Sequence, residues 1–144
     1  MDYIIREFRT EDCESIWRLN TYEMGYDYPI EDTREKLSAL IRSDEHKIFV
    51  AVCCDEVIGY VHANNYDLIY ASHMKNIMGI AVAEHMKRKG VGRALLEAVE
   101  NWARETNAEG VRLVSGESRR DAHKFYHRCG YSGDKMQINM VKKI

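Results

Sequence analysis

Lys87, Arg88, Lys89 and Arg93 crowd around Gly90 and Gly92 in one short stretch of this chain. The stretch follows the apolar run Ile77-Met78-Gly79-Ile80-Ala81-Val82 and opens into Val91-Gly92-Arg93-Ala94-Leu95-Leu96, which has helical periodicity. A strand feeding a basic turn that becomes a helix can cradle phosphate groups. The first N–H groups of a helix have no partner within it, and the helix dipole puts partial positive charge at that end. Gly90 and Gly92 carry no Cβ, so an anion can approach the backbone closely. The cluster of cations suits a di- or triphosphorylated ligand. The plain alternative is a solvated basic helix start. Two phosphate motifs are excluded by the letters. No G-x-x-x-x-G-K-[ST] string occurs, and Leu95 stands where G-x-G-x-x-G needs its third glycine.

Other residues that carry chemistry form weaker patterns. His123 and His127 are four apart, which on a helix places them on one face, but Lys124 stands where a zincin needs glutamate and no third ligand is near. Surface histidines and no metal are the expectation. The four cysteines, Cys13, Cys53, Cys54 and Cys129, have no C-x-x-C spacing and read as thiols in a reducing compartment. With 45% hydrophobic and 31% charged residues the chain is globular, not disordered. A net charge of -2 argues against generic nucleic-acid binding. No apolar run approaches the ~20 residues that cross a bilayer, and the N-terminus is too charged for a signal peptide. A cytoplasmic location follows as the expectation, with no membrane and no nucleic-acid partner.

The elements that must position these residues read as a single domain over 1–144. Tyr3 to Phe8 is a first strand, and Thr10 is expected to cap a helix carrying Cys13, Ile16 and Leu19. Tyr22 to Pro29 is a loop of aromatic and acidic residues, followed by a helix with Leu37, Leu40 and Ile41. Ile48–Val52 and Val57–Val61 form a hairpin turned at Asp55-Glu56, and a further strand spans Asn76 to Val82. Val91, Ala94, Leu95, Ala98 and Trp102 stripe a helix. Val111–Val114 is a strand, and Ala122, Phe125, Tyr126 and Cys129 mark a helix stopped by Gly130. Met136, Ile138 and Met140 alternate with polar neighbours as a final strand would, a pattern that leaves a homodimer open. The order βααβββαβαβ is mixed α/β, a central sheet flanked by about four helices.

Two of these segments together resemble the GNAT N-acetyltransferases. Lys87-Arg88-Lys89-Gly90-Val91-Gly92 is similar to the family pattern [Q/R]-x-x-G-x-[G/A], with lysine in the leading place. Ala122 to Tyr131 is similar to A-x-x-F-Y-x-x-x-G-[FY], with Arg119 where many members carry asparagine. The resemblance is most specific between Asn76 and Tyr131 and extends to the element order. It implies a GNAT-like fold and an enzyme that moves an acetyl group from acetyl-CoA to a primary amine of a small molecule or peptide.

The resemblance also implies roles. The coenzyme A pyrophosphate would sit on the turn from Lys87 to Arg93, counting Arg88, Lys89, Gly90, Val91 and Gly92. The pantetheine arm would pair with the strand edge Ile80-Ala81-Val82, where two parallel strands splay and leave backbone groups to be satisfied. The Ile80 N–H would face the thioester oxygen. Tyr126 takes the position of the general acid; a phenol with pKa near 10 stays protonated at neutral pH while a thiol lies near 8.5. Read from periodicity alone, Tyr126 is a core aromatic on the inner face of its helix, beside Phe125. The base stays open among Glu117, Glu23, Asp27, Glu84, His73 and relayed water, because Asn76 stands where some relatives carry glutamate. Tyr22, Glu23, Tyr26 and Asp27 are the candidates to line the acceptor site, with aromatic faces and carboxylates that suit a cation. A non-catalytic acyl-CoA sensor would keep the turn but have no need of Tyr126.

Overall fold

Five strands in the order β1-β2-β3-β4-β5 form one sheet in the computed structural model, which describes residues 2–144. These strands are β1 (Ile4–Glu7), β2 (His46–Cys53), β3 (Glu56–Tyr66), β4 (Met74–Val82) and β5 (Gly110–Arg112). The first four run antiparallel to their neighbours, and β5 joins β4 in parallel. The helices are α1 (Cys13–Arg18), α2 (Ile30–Ile41), α3 (Val91–Glu105) and α4 (Arg120–Arg128). The chain falls into two compact units, Met1–Leu113 and Val114–Ile144. The first holds the sheet with α1, α2 and α3, and the second holds α4.

The strands form where alternation and β-branched residues call for them, and the core of the first unit lies between sheet and α3. Val50, Ala51, Val61 and Ala63 are fully buried, as are Leu95, Leu96 and Val99 of α3. Gly59 allows the helix to come close. A Cβ there would lie 3.1 Å from the Ala81 carbonyl oxygen, 3.3 Å from Leu95 Cδ1 and 3.4 Å from Val91 Cγ1. The other end of α3 is held by Lys75, a buried lysine whose Nζ lies 3.9 Å from the centre of the Trp102 ring. It donates to Asn65 Oδ1 at 2.6 Å and to His73 Nε2 at 3.0 Å. His73 Nδ1 in turn meets Asp67 Oδ1 at 2.6 Å. Burial pushes the Lys75 pKa down, and the Asp67 charge acts against that shift. Both ends of α3 are thereby fixed to the strands that frame the site.

The first helix starts differently from the expectation. Thr10 is not its cap: Thr10–Asp12 is a 3₁₀ turn, and the side chain that takes a backbone donor is Asp12, which accepts the Arg9 N–H at 2.7 Å. Arg6 grips the same carboxylate at 2.8 and 3.0 Å. Burial works against the Asp12 charge, but these three bonds outweigh it and hold the carboxyl below its usual range. A carboxylate that can meet both a guanidinium and an amide displaces a hydroxyl from the capping role. After α1 the chain widens into a π-helical turn over Leu19–Glu23, part of what was expected to be loop.

In the second unit, α4 ends as its glycine demands. Gly130 has φ +94°, and the Tyr131 N–H reaches back to the Tyr126 carbonyl at 2.9 Å, which closes the helix in the left-handed manner. The final strand is a correction. No helix or strand is assigned from 131 to 144, and Met136, Ile138 and Met140 are exposed. Alternation creates a strand only where another strand accepts its hydrogen bonds, and no ladder includes this segment. Likewise β5 stops at Arg112, short of Val114, because its pairing with β4 stops there.

The close approach at Gly59 has a measurable consequence. Gly59→Ala places a methyl against a strand carbonyl that cannot yield, so it should destabilise the protein by about 1–3 kcal/mol in urea unfolding. A variant as stable as the parent would show that α3 has room to shift.

Candidate active site

The basic turn folds into a glycine-led helix start. After a 3₁₀ turn at Glu84–Met86 the chain is extended at Lys87, and Arg88 takes φ +65°. Gly90 is the residue before α3 and has φ +85°, a conformation that a side chain would strain. No side chain caps the helix, and its first internal bond is given by Ala94 to the Gly90 carbonyl at 3.0 Å. The amides of Val91 and Gly92 therefore have no acceptor within the helix. Lys87 is turned back onto Glu84 at 2.8 Å, an exposed pair, and it holds the Glu84 carboxyl below its usual range.

The strand leading into this turn is forked. β4 and β5 pair only from Met74 to Asn76 against Gly110 to Arg112. Beyond that point no described strand pairs the β5 side of β4, so the edge through Ile80, Ala81 and Val82 is open in the sheet. On its other side β4 carries a bulge: His62 faces Gly79 while Ala63 faces Ile77, and Met78 is the extra residue. Bulges of this kind re-aim side chains beside a site.

A cavity of about 370 Å³ lies among α1, the π-helical turn and the start of α2. Tyr26 and Asp27 line it, as do Trp17, Asn20, Thr21, Tyr28 and Thr33. Trp17 Nε1 donates to the Tyr28 carbonyl at 2.8 Å, and Tyr26 N–H donates to the Asn20 carbonyl at 2.9 Å. Tyr22 is not in the lining; it is exposed and meets the Trp17 ring edge-on at 6.1 Å. Glu23 is also outside the lining. The cavity connects to the sheet through Tyr60, whose hydroxyl donates to Asn20 Oδ1. A Cβ on Gly79 would lie 3.6 Å from that hydroxyl, so the bond stands beside the β4 bulge. Burial pushes the Tyr60 pKa up to about 12, which keeps it a hydrogen-bond donor. Next to it on β3, His62 shares a 2.9 Å hydrogen bond with His46. Burial first, and His46 second, lower its pKa to about 4, so it is neutral at physiological pH.

Tyr126 and Glu117 both belong to the second unit. Tyr126 is half-buried on α4, with its ring 5.3 Å from Phe125 and 6.3 Å from Tyr131. Burial raises its pKa while Arg119 pulls the other way, and the net shift is upward. Glu117 is exposed in the loop before α4. His123 and His127 bond to backbone: His123 Nε2 to the Gly116 carbonyl at 2.9 Å and His127 Nδ1 to the Tyr131 carbonyl at 3.1 Å. The sequence reading missed Trp17, Asn20, Tyr60 and His62. Trp17, Asn20 and Thr21 stand at i, i+3 and i+4, a helical face that signals a shared surface. Tyr60 and His62 had no such signal, since alternation alone places them on a face without saying what lies above.

Comparison with known proteins agrees with this architecture. The acetyltransferase (GNAT) family model matches residues 10–131. The chain is 28% identical over 128 residues to the aminoalkylphosphonate N-acetyltransferase of Salmonella typhimurium, covering 88% of this chain and 83% of that protein. It is 30% identical over 138 residues to an N-alpha-acetyltransferase of Sulfurisphaera tokodaii, covering 90% and 80%. In fold it matches the aminoglycoside N-acetyltransferase AAC(6')-Iy in complex with a CoA-containing bisubstrate analogue, at a TM-score of 0.89, 18% identity and 100% of both chains. No described helix is long and apolar enough to cross a membrane. With a match that runs from the turn before α1 to the tyrosine after α4, this chain belongs to the acetyltransferase (GNAT) family.

Proposed function

We propose that this chain acts as a single cytoplasmic catalytic domain, using acetyl-CoA to acetylate the primary amine of a small molecule or peptide. The observation that carries the reading is the uncapped, glycine-led start of α3, reached through one 3₁₀ turn from a strand whose edge is open. The residues fit the ligand. Amides at Val91 and Gly92 and the cations Arg88, Lys89 and Arg93 suit a pyrophosphate, and the edge at Ile80, Ala81 and Val82 offers backbone partners to an amide-containing arm. Acetyl-CoA supplies the acyl group as an activated thioester. The Ile80 N–H is the proposed donor to its oxygen.

The chain's own residues handle the protons. Tyr126 is assigned the general acid, and its raised pKa supports that role by keeping the phenol protonated at neutral pH. The base is assigned to Glu117 or to relayed water. The cavity at Tyr26 and Asp27 is assigned to the acceptor, because aromatic faces and a carboxylate attract an ammonium. Relatives named for aminoalkylphosphonate and aminoglycoside acetylation support a small-molecule amine, whereas those named for N-alpha-acetylation support a peptide. The buried thiols of Cys13 and Cys53 suit a reducing compartment.

Calorimetry should detect one acetyl-CoA per chain, and an amine panel should release free thiol. Binding without thiol release from any amine would favour the sensor, and absence of binding would refute both. Tyr126→Phe should lower kcat by about 10² to 10³ in a folded protein. Unchanged turnover in that variant would remove the acid assignment. Asp27→Asn should raise the amine KM about fivefold with the acetyl-CoA KM unchanged, as expected for one exposed ion pair. Equal effects on both KM values would place Asp27 outside the acceptor site.

A further inference from the structure

The acyl-transfer chemistry leaves one charge at the fork unused. Alternation along β3 puts Tyr60, His62, Asn64 and Tyr66 on one face, the face that meets the π-helical turn through the Tyr60–Asn20 bond. Asn76 of β4 joins that face, where its Nδ2 donates to Asn64 Oδ1 at 3.2 Å and lies 3.1 Å from Met78 Sδ. Arg112, the last residue of β5, joins it as well. Its Nη1 donates to Asn76 Oδ1 at 2.6 Å, and its guanidinium carbon stands 4.2 Å from the centre of the Tyr66 ring. Arg112 is half-buried, and no carboxylate of the described residues lies within the 4.0 Å of an ion pair with it.

This arrangement is costly without a ligand. A partly desolvated charge ordinarily finds a counter-charge, and here the protein provides an amide oxygen and a ring face. Both partners orient the guanidinium and neither neutralises it. Asn76 engages both ends of its amide, so it cannot turn to serve another purpose. A guanidinium has five N–H donors in one plane, and the fork they form matches two oxygens of one oxyanion. Its position is as telling as its charge. Arg112 pairs with Asn76 where β5 leaves β4, two to three residues before the bulge at Met78 and Gly79, about 7–10 Å along the strand. Asn20, which lines the cavity, accepts from the Tyr60 hydroxyl on that same face, and that hydroxyl stands beside the bulge at Gly79.

We infer that Arg112 recognises an anionic group on the acceptor, so that the preferred amine carries a carboxylate, phosphate or phosphonate on a short chain. This rests on the acyl-transfer reading of the same site. Asp27 and the aromatic rings draw the ammonium end, and Arg112 takes the oxyanion, so the two charges of a zwitterion are read by opposite charges of the protein. A diamine of similar length puts a cation against Arg112 and is disfavoured.

Thiol release from acetyl-CoA by the full chain, with 2-aminoethylphosphonate and 3-aminopropanoate against propylamine and ethanolamine, tests the inference. At least one anionic amine should show kcat/KM tenfold or more above the neutral pair, and the better of the two identifies the oxyanion. Arg112→Gln should reduce that preference at least tenfold, mainly through KM, and Arg112→Lys should keep part of it because the charge remains without the fork. A merely structural Arg112 would lower all four amines alike, which would overturn the inference. A second measurement needs no variant: methylphosphonate or acetate should inhibit propylamine turnover competitively with the amine. Inhibition by neither, or competition with acetyl-CoA alone, would overturn it. Turnover of neutral amines without any anionic preference overturns this inference and leaves acyl transfer standing, whereas no turnover of any amine overturns both.

Discussion

The open edge of β4 beyond Asn76 is the constraint around which the first unit is built. Backbone donors and acceptors at the interior of a sheet must be satisfied, and a neighbouring strand is the usual means. Here β5 supplies three residues of pairing and then ends. Keeping such an edge open needs rigid support on every other side. The antiparallel ladder to β3 supplies one side of it. The contact of Gly59 with the first turn of α3 supplies another, and Lys75 under Trp102 a third. The strand then leads through the 3₁₀ turn at Glu84–Met86 into the turn at Gly90, so the strand with the open edge comes shortly before the helix that lacks a cap. That juxtaposition makes an extended, phosphorylated ligand a better fit than a compact one.

Much of this was legible because its signals are local. The stripe on α3 is set by a 3.6-residue period, and the glycine before it by a conformation that other residues avoid. The end of α4 is equally local. Gly130 permits the left-handed turn, and that turn brings Tyr131 back over Tyr126, so the spacing of phenylalanine, tyrosine, glycine and tyrosine has a mechanical reason. What was not legible depends on residues far apart in sequence. Thr10 is a sound cap by residue type, but Asp12 collects Arg6 and the Arg9 amide together, and a charge with two partners wins over a hydroxyl with one. The alternation from Met136 to Met140 is a real pattern whose outcome depends on a pairing that sequence alone does not supply. Tyr22 and Glu23 were placed with Tyr26 and Asp27 because they are neighbours in the chain. The π-helical turn separates them, since widening the helix by a residue rotates the side chains beyond it.

Charge is distributed locally, and this bears on what the site can distinguish. The chain is nearly neutral overall, with a net charge of -2. At physiological salt, exposed charges more than roughly 8 Å apart are largely screened from one another. The basic turn and the acidic aromatic loop are therefore local features of a nearly balanced chain.

The pair His46–His62 bears on the charge of the sheet face that Arg112 shares. His62 is held neutral by burial and by His46, with a pKa of about 4, so at neutral pH it adds no positive charge to the sheet face that Arg112 shares. Were it protonated, two cations would share one face of the sheet. Linkage gives the direction of the accompanying stability change. An unfolded histidine takes a proton near pH 6.5 and the folded one does not until about 4, so the folded state loses ground as pH falls between those values. Keeping His62 neutral thus sacrifices acid stability, and in exchange Arg112 is the cation that the Asn64–Asn76 face presents at neutral pH.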